Sequence, residues 1–151
     1  MTHNPIEMLQ ADHAEIKRQI AGLDALFANG DADPAAVADA VHILLHTLDL
    51  HERREEQVLF PAVPQVGPIQ LVLQEHARLK GLLDKTREAL HAVRDTPGAE
   101  SQAALRLATQ EMGYCLSGHI MKEDQIAFRM AEGVLSPEQL AEIGAKMADL
   151  S

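Results

Sequence analysis

Apolar residues recur every three or four positions through most of the chain, and this spacing constrains the fold more than any other feature of the sequence. A period near 3.6 is typical of an amphipathic α-helix that buries one face. Helix-breaking and helix-capping residues interrupt the pattern at Asn29-Gly30, Asp33-Pro34, Phe60-Pro61, Pro64 to Pro68 and Thr96-Pro97-Gly98. The pattern therefore predicts four long helices, and no segment shows the alternation of a strand.

The inward face of each predicted helix combines apolar residues with histidine or glutamate. These faces are Ile6, Leu9, His13, Ile16, Ile20, Leu23 and Phe27; Val41, Leu44, Leu48, His51, Glu55 and Val58; Val72, His76, Leu79, Leu83 and Leu90; and Leu105, Ala108, Met112, Cys115, His119, Glu123 and Ile126. Such helices on short loops favour an all-α, up-down-up-down four-helix bundle over about residues 6–130. A short additional C-terminal helix is expected over about 137–149, after a Ser136 N-cap. We interpret residues 1–151 as a single domain.

Charge and cysteine content limit the classes of partner. Thirteen basic residues against 23 acidic ones give a net charge of −10, which argues against nucleic acid and anionic membrane as partners. The first five residues lack the features of a secretion signal, and no apolar run reaches the roughly 20 residues of a membrane span. Cys115 has no second cysteine with which to form an internal disulfide. These features predict a cytoplasmic protein.

The two halves of the chain repeat one arrangement of histidine and glutamate. The segment Asp12-His13-Ala14-Glu15-Ile16 resembles Glu75-His76-Ala77-Arg78-Leu79. The stretch 51–60 resembles the stretch 119–128, with His, Glu, an acid, Gln, an aliphatic residue and Phe in register. Each half therefore carries one histidine and then a His-x-x-x-Glu motif.

Each His-x-x-x-Glu motif can act as a metal pincer. Residues four apart on a straight helix differ by about 40° in azimuth, so His51 and Glu55 point the same way, as do His119 and Glu123. Imidazole with carboxylate suits iron, manganese or zinc, and di-iron carboxylate proteins use ligands that converge from facing helices. Buried salt bridges are the alternative, but no Arg or Lys recurs at equivalent places in both halves to neutralise these carboxylates.

The order His, His-x-x-x-Glu, His, His-x-x-x-Glu on four successive helices resembles a hemerythrin-like, or HHE cation-binding, domain over about Ile6 to Met130. The resemblance implies two irons inside the bundle, joined by an oxo or hydroxo bridge, that bind dioxygen, peroxide or nitric oxide. The ligand set that it implies is His13 and His51 on one iron, His76 and His119 on the other, and Glu55 and Glu123 as bridges.

The chain lacks one histidine that the oxygen carriers of that family have. The carriers have a second histidine four residues after the one on the third helix, where this chain has Lys80. One iron would then have fewer protein ligands, which favours reaction with peroxide, dioxygen or nitric oxide over reversible oxygen carriage. The Lys80 ammonium is expected to extend to solvent rather than to the metals.

Two further acidic residues lie close to the implied ligands in the sequence. The oxygen carriers place an aspartate five residues after the last-helix histidine, where Asp124 stands. A straight helix turns Asp124 about 140° from His119, so Glu123 is the better candidate bridge unless the helix bulges. Glu52 could add a carboxylate, as in some relatives, but a solvated position is favoured for it.

Three classes of function stay open from the sequence. The leading one is a non-haem di-iron protein that binds, senses or consumes small oxygen or nitrogen species, with or without enzymatic turnover. The others are a mononuclear or zinc-binding bundle and a metal-free interaction module with an acidic surface. The remaining histidines are expected to lie outside the site: His3, His42, His46 and His91.

Overall fold

The computed structural model describes residues 4–150, and no strand occurs among them. Six α-helices follow one another: α1 (Pro5–Ala25), α2 (Pro34–Arg53), α3 (Gly67–Asp95), α4 (Ala99–Lys122), α5 (Phe128–Val134) and α6 (Pro137–Ala148). Two π-helical turns interrupt the helical path: the first π turn is Arg54–Leu59, after α2, and the second is Glu123–Ala127, between α4 and α5. A 3-10 turn, Phe60–Ala62, follows the first π turn. The all-α prediction is confirmed.

Short polar side chains cap the N-termini of three helices, α1, α2 and α6. Asn4 Oδ1 accepts a hydrogen bond of 2.9 Å from the backbone N–H of Ile6, and Asp33 caps α2 in the same way. Ser136 and Gln139 form a reciprocal capping box at α6. The end of the first helix was predicted wrongly, because α1 stops at Ala25 and only turns continue from there to Gly30. Gly30 has a φ of 106°, the left-handed conformation that its type favours.

The apolar interior has two clusters, and the four histidines predicted to bind metal lie between them. The first cluster includes Ile16, Leu48, Leu79, Leu116 and Ile120. The second includes Leu9, Leu59, Val72, Phe60 and Phe128, with Ile143 and Met147 from α6. A buried polar layer of four histidines and two glutamates therefore lies between two apolar layers.

The predicted inward faces are largely confirmed, with exceptions near the π turns. Ile126, predicted to face inward, is 49% exposed, while Ala127 and Phe128 are buried. Val58 is half-buried and Leu59 is buried beside it. A π turn contains more residues than an α-helical turn, so the residue that returns to the buried face comes later in the sequence. Cys115 is also half-buried, at the edge of the first cluster.

Consecutive helices pack against one another from α1 to α4, and α1 also packs against α4. The C-terminal α6 packs against α1 and the first π turn. Helices α1 and α4 approach closely at Gly113, where an added Cβ atom would lie 3.1 Å from Cγ2 of Ile20. Within residues 4–150, no helix is both long and apolar enough to span a bilayer.

The close approach at Gly113 predicts a difference between two glycine-to-alanine variants. Gly81→Ala, on α3 with open space around the new Cβ atom, should raise the free energy of unfolding by about 0.5–1 kcal/mol, since alanine favours helix. Gly113→Ala should gain less or lose stability, because Ile20 must move. Urea unfolding of the metal-free variants measures both, and equal gains would contradict the close packing.

Candidate metal centre

Both His-x-x-x-Glu motifs run into a π turn, so the straight helix assumed from the sequence is wrong at these two places. The backbone N–H of Phe60 donates to the carbonyl of Glu55, and that of Phe128 donates to the carbonyl of Glu123. These bonds span five residues instead of four. Because the turn is wider, two consecutive acidic residues at its start reach the site in each half: Glu55 with Glu56, and Glu123 with Asp124.

The four predicted histidines meet in two pairs at the centre of the molecule. Nε2 of His13 lies 3.0 Å from Nε2 of His51, and Nε2 of His76 lies 3.1 Å from Nε2 of His119. All four side chains are buried, with at most 5% of each exposed. Helices α1 and α2 supply one pair, and α3 and α4 supply the other. The structure thus brings together the histidines in the pairs that the sequence assigned to separate metals.

The two predicted glutamates each lie between the histidine pairs, and both are fully buried. The distances from Oε1 to Nε2 are 3.3 Å from Glu55 to both His51 and His76, and 3.0 and 3.2 Å from Glu123 to His13 and His119. Each carboxylate therefore contacts at least one histidine of each pair, and Glu123 also lies 3.6 Å from Nε2 of His51 and 3.9 Å from Nε2 of His76. The ligand atoms form two groups, each with one histidine pair, that share both glutamates.

A second ring of carboxylates, which the sequence analysis did not assign, holds the outer nitrogen of every histidine. The Nδ1 atoms of His13, His51, His76 and His119 lie 2.8, 3.1, 3.0 and 3.1 Å from oxygens of Asp124, Asp12, Glu56 and Glu75 respectively. Histidines that bind metals commonly donate their second N–H to a carboxylate in this way. Asp124 thus reaches the site through its histidine, while Glu123 occupies the centre.

The sequence carries a signal for this outer ring. An acidic residue directly precedes His13 and His76, and another directly follows Glu55 and Glu123. The recurrence of these four acids in both halves was visible in the repeat, but their partners were not. Each acid adjacent to one ligand serves a histidine on a different helix, which only the packing of the helices determines.

The outer carboxylates determine which ring nitrogen of each of the four histidines carries a hydrogen atom. A carboxylate accepts hydrogen bonds, so Nδ1 carries the hydrogen and a neutral ring keeps its lone pair on Nε2. Two such lone pairs then face each other in each histidine pair. Both carboxylate oxygens of Glu55, and Oε2 of Glu123, are buried without a hydrogen-bond partner. This donor set lacks a positive charge, and a metal cation in each group would satisfy it.

The pKa values of three site histidines are raised, which also indicates that the site favours added positive charge. Burial opposes the charged form of His76, but the Glu55 carboxylate raises its pKa to about 9. Burial likewise opposes charge on His51 and His119, yet Glu55 and Glu123 respectively raise their pKa values above the ordinary range. Without a metal, protons supply the missing charge, so metal binding should release protons.

The pKa values of Glu55 and Glu123 are shifted in opposite directions, although both side chains are buried. Burial, with the charge of Glu123 beside it, raises the pKa of Glu55. Burial alone would also raise the pKa of Glu123, but its contacts with Glu55 and with His119 lower it well below the ordinary range. Two carboxylates this close ionise together only when a cation lies between or beside them.

The half-buried Arg54 and the exposed Lys122 hold two of the four outer carboxylates. Arg54 donates two hydrogen bonds, of 2.9 and 3.0 Å, to the carboxylate of Asp12. Lys122 pairs with Glu75 in the equivalent place of the second half. Burial works against charge on Asp12, but hydrogen bonds from His51 and Arg54 lower the pKa of Asp12. Against the effect of its burial, hydrogen bonds from Lys122 and His119 likewise lower the pKa of Glu75, so Asp12 and Glu75 are held in the charged state that orients their histidines.

Other residues considered from the sequence lie outside the two groups. His42, His46 and His91 are exposed, as predicted, and His3 lies outside the described residues. Lys80 is exposed in a groove between α2 and α3. Glu52, for which a solvated position was expected, is only half-solvated: it borders the groove between α2 and α3 and also lines a small cavity beside the site, and burial raises its pKa. A Glu52 oxygen lies within 4.8 Å of ligand atoms of Glu56 and His76.

The fold and the site define a helical domain with buried histidine and carboxylate groups suited to metal ions. The sequence model of the hemerythrin HHE cation-binding domain matches residues 4–131. The chain therefore belongs to this family, as the resemblance predicted, and the family implies metal binding, typically of iron. No curated protein sequence matches the chain.

The outer carboxylates should contribute to metal affinity without touching the metals. Glu56→Ala and Asp124→Ala each free one histidine ring to rotate, and we expect each to weaken ferrous iron binding by roughly 10- to 100-fold. Titration of the metal-free proteins with ferrous iron measures the affinity. Glu142→Ala, which removes a carboxylate that is 68% exposed on α6, is the control and should bind as the unaltered protein does. Unchanged affinity in both ring variants would contradict the orienting role.

Proposed function

We propose that this protein is a non-haem di-iron protein that binds and consumes small oxygen or nitrogen species, such as dioxygen, peroxide or nitric oxide. One observation carries the proposal: Glu55 and Glu123 each contact at least one histidine of each pair. A single metal would leave one of the two histidine pairs without a metal to bind, whereas two metals bridged by two carboxylates would use every donor atom. The donors are nitrogen and oxygen atoms without sulfur, which suits iron.

The proposal includes the arrangement of the helices. We propose that α1 to α4 form an up-down-up-down four-helix bundle around the two metals. Contacts between each consecutive pair, and between α1 and α4, support a closed ring of four helices. Each helix, or the π turn that continues it, contributes ligands to the centre, as in other di-iron carboxylate bundles.

A small cavity beside the two groups supports a small ligand. It offers about 10 Å³ to the centre of a water-sized sphere, which is room for about one water molecule. Its walls are His51, His76, His119 and Glu123 on the polar side, and Ile16, Leu48, Leu79, Leu116 and Ile120 on the apolar side, together with Glu52. A molecule of two heavy atoms fits this space after small side-chain movements, whereas a larger organic substrate does not.

The residues around the centre would hold the metals and exclude water. Bound iron would supply redox chemistry and open coordination positions for the ligand. The ring of Phe128 stacks on His13, with centroids 5.3 Å apart, and Phe60 lies against His76 at 6.4 Å. These phenylalanines occupy equivalent positions in the two halves, and they cover the side of the centre opposite the cavity. Ligand access is thereby limited to the cavity side.

Consumption rather than reversible carriage is supported by Lys80. This residue replaces the additional histidine of the oxygen carriers, and its side chain is exposed in the groove instead of occupying the site. A metal held by His76 and His119 would therefore have no extra imidazole to close its open coordination position.

The single free cysteine, Cys115, supports a reducing compartment and hence a cytoplasmic location.

The bridging glutamates should be required for metal retention. We expect two irons per chain in the unaltered protein, and less than one in Glu55→Ala or Glu123→Ala, because each loss removes a ligand from both metals. His42→Ala and His46→Ala remove exposed imidazoles from α2 and should retain both irons. Elemental analysis of the purified proteins, with circular dichroism to verify helix content, gives the answer.

The same analysis separates the alternative functions. About one zinc per chain with a featureless visible spectrum would contradict the di-iron proposal and favour a mononuclear site. A protein that takes up neither metal would favour the interaction module. Loss of iron from His42→Ala or His46→Ala would show that the assignment of inner and outer faces is wrong.

A further inference from the structure

The cavity beside the metal groups is built from matched residues of the two halves. Alignment of His51 with His119 also aligns Leu48 with Leu116, and both pairs line the cavity. Alignment of His13 with His76 aligns Ile16 with Leu79, which also line the cavity. The cavity therefore lies where the two halves of the repeat meet, and aligned pairs of residues give most of its wall an approximate symmetry.

One pair of aligned residues in the cavity wall breaks this symmetry. Glu52 follows His51, and Ile120 follows His119 at the equivalent position. Ile120 is 1% exposed and belongs to the apolar core, whereas Glu52 is only half-buried. An isoleucine closes the wall on the α4 side, and a glutamate occupies the wall on the α2 side.

The glutamate side of the wall adjoins an open groove. This groove has a volume of about 260 Å³ between α2 and α3 and is lined by Leu45, Leu48, Asp49, Glu52, Lys80, Leu83, Asp84 and Arg87. It shares Leu48 and Glu52 with the cavity. The groove between α1 and α4, around Tyr114 and Ser117, shares no residue with the cavity. Glu52 and Leu48 thus form the part of the cavity wall that also borders the groove.

Glu52 is the movable part of that wall. Its carboxylate has no hydrogen bond or ion pair with another residue in the range 4–150, while its neighbours in the groove are held, Asp49 by Arg53 and Asp84 by Arg87. Leu48 is buried and packs in the first apolar cluster. A glutamate has three side-chain torsions, so rotation of Glu52 toward the groove opens the wall without movement of the backbone.

We propose that the groove between α2 and α3 is the entrance through which small ligands reach the metal cavity, with Glu52 as its gate. The inference rests on the proposed di-iron function and adds a route and a gating residue to it. At the gate, two aligned residues that both line the cavity differ in charge, and the charged one also borders the open groove. Uncharged molecules of two heavy atoms are the class that the cavity admits.

The test replaces Glu52 by isoleucine, the residue that the second half of the repeat has at the equivalent position, Ile120. Glu52→Ile should seal the wall as Ile120 does, and should slow the association of nitric oxide with the reduced, iron-loaded protein by at least about tenfold. Glu52→Ala should associate at least as fast as the unaltered protein. Stopped-flow absorption gives the rate constants, and iron content and the spectrum of the final nitric oxide complex are measured for each variant. Both should be unchanged, since a gate alters the rate of access and not the site.

Ser117→Leu is the matched control, because it adds a bulky apolar side chain to the groove between α1 and α4. Its association rate should equal that of the unaltered protein. Equal rates for Glu52→Ile and the unaltered protein, or a slower Ser117→Leu, would overturn the proposed entrance. Iron loss in Glu52→Ile would also overturn it, since Glu52 would then be a ligand. Absence of two irons or of a nitric oxide complex in the unaltered protein would instead overturn the proposed function.

Discussion

The structure depends on the cost of burying six polar groups that no arginine or lysine within residues 4–150 contacts. Four imidazoles and two carboxylates lie between two apolar clusters with almost no exposure. An unpaired buried carboxylate costs several kcal/mol, and the arginine and lysine near the site, Arg54 and Lys122, contact only the outer acids Asp12 and Glu75. In the metal-free protein the two glutamates raise the pKa values of His51, His76 and His119, so these histidines bind protons that supply positive charge. Metal cations would supply the charge in their place, with every donor atom in use.

The π turns and the outer carboxylates let ordinary helices hold such a centre. A regular α-helix directs one of two consecutive side chains inward, whereas each wider turn brings both acidic residues of a pair to the site. One acid of each pair contacts Nε2 atoms at the centre, and the next one accepts from Nδ1 of a histidine on another helix. The helices thereby become linked through the site, so the fold and the metal centre support each other.

Much of this architecture was predictable from the sequence because helical periodicity and an internal repeat are local signals. They located the helices and the six central residues, among them Glu55 and Glu123, that the structure brings together. The π turns were not predictable, since one extra residue in a single turn shifts the apolar pattern by only one position. Ile126 was therefore placed on the wrong face. The partners of Asp12 and Glu75, and the half-buried position of Glu52, depend on how helices pack, which no local pattern encodes.

Crystallography of the iron-loaded protein, with anomalous diffraction at the iron edge, tests the central claim most directly. The account predicts two iron peaks per chain: one beside Nε2 of His13 and His51, the other beside Nε2 of His76 and His119. Glu55 and Glu123 should lie between the two peaks. A single peak, or an iron held by Glu52 and Glu56 in place of a histidine pair, would contradict it.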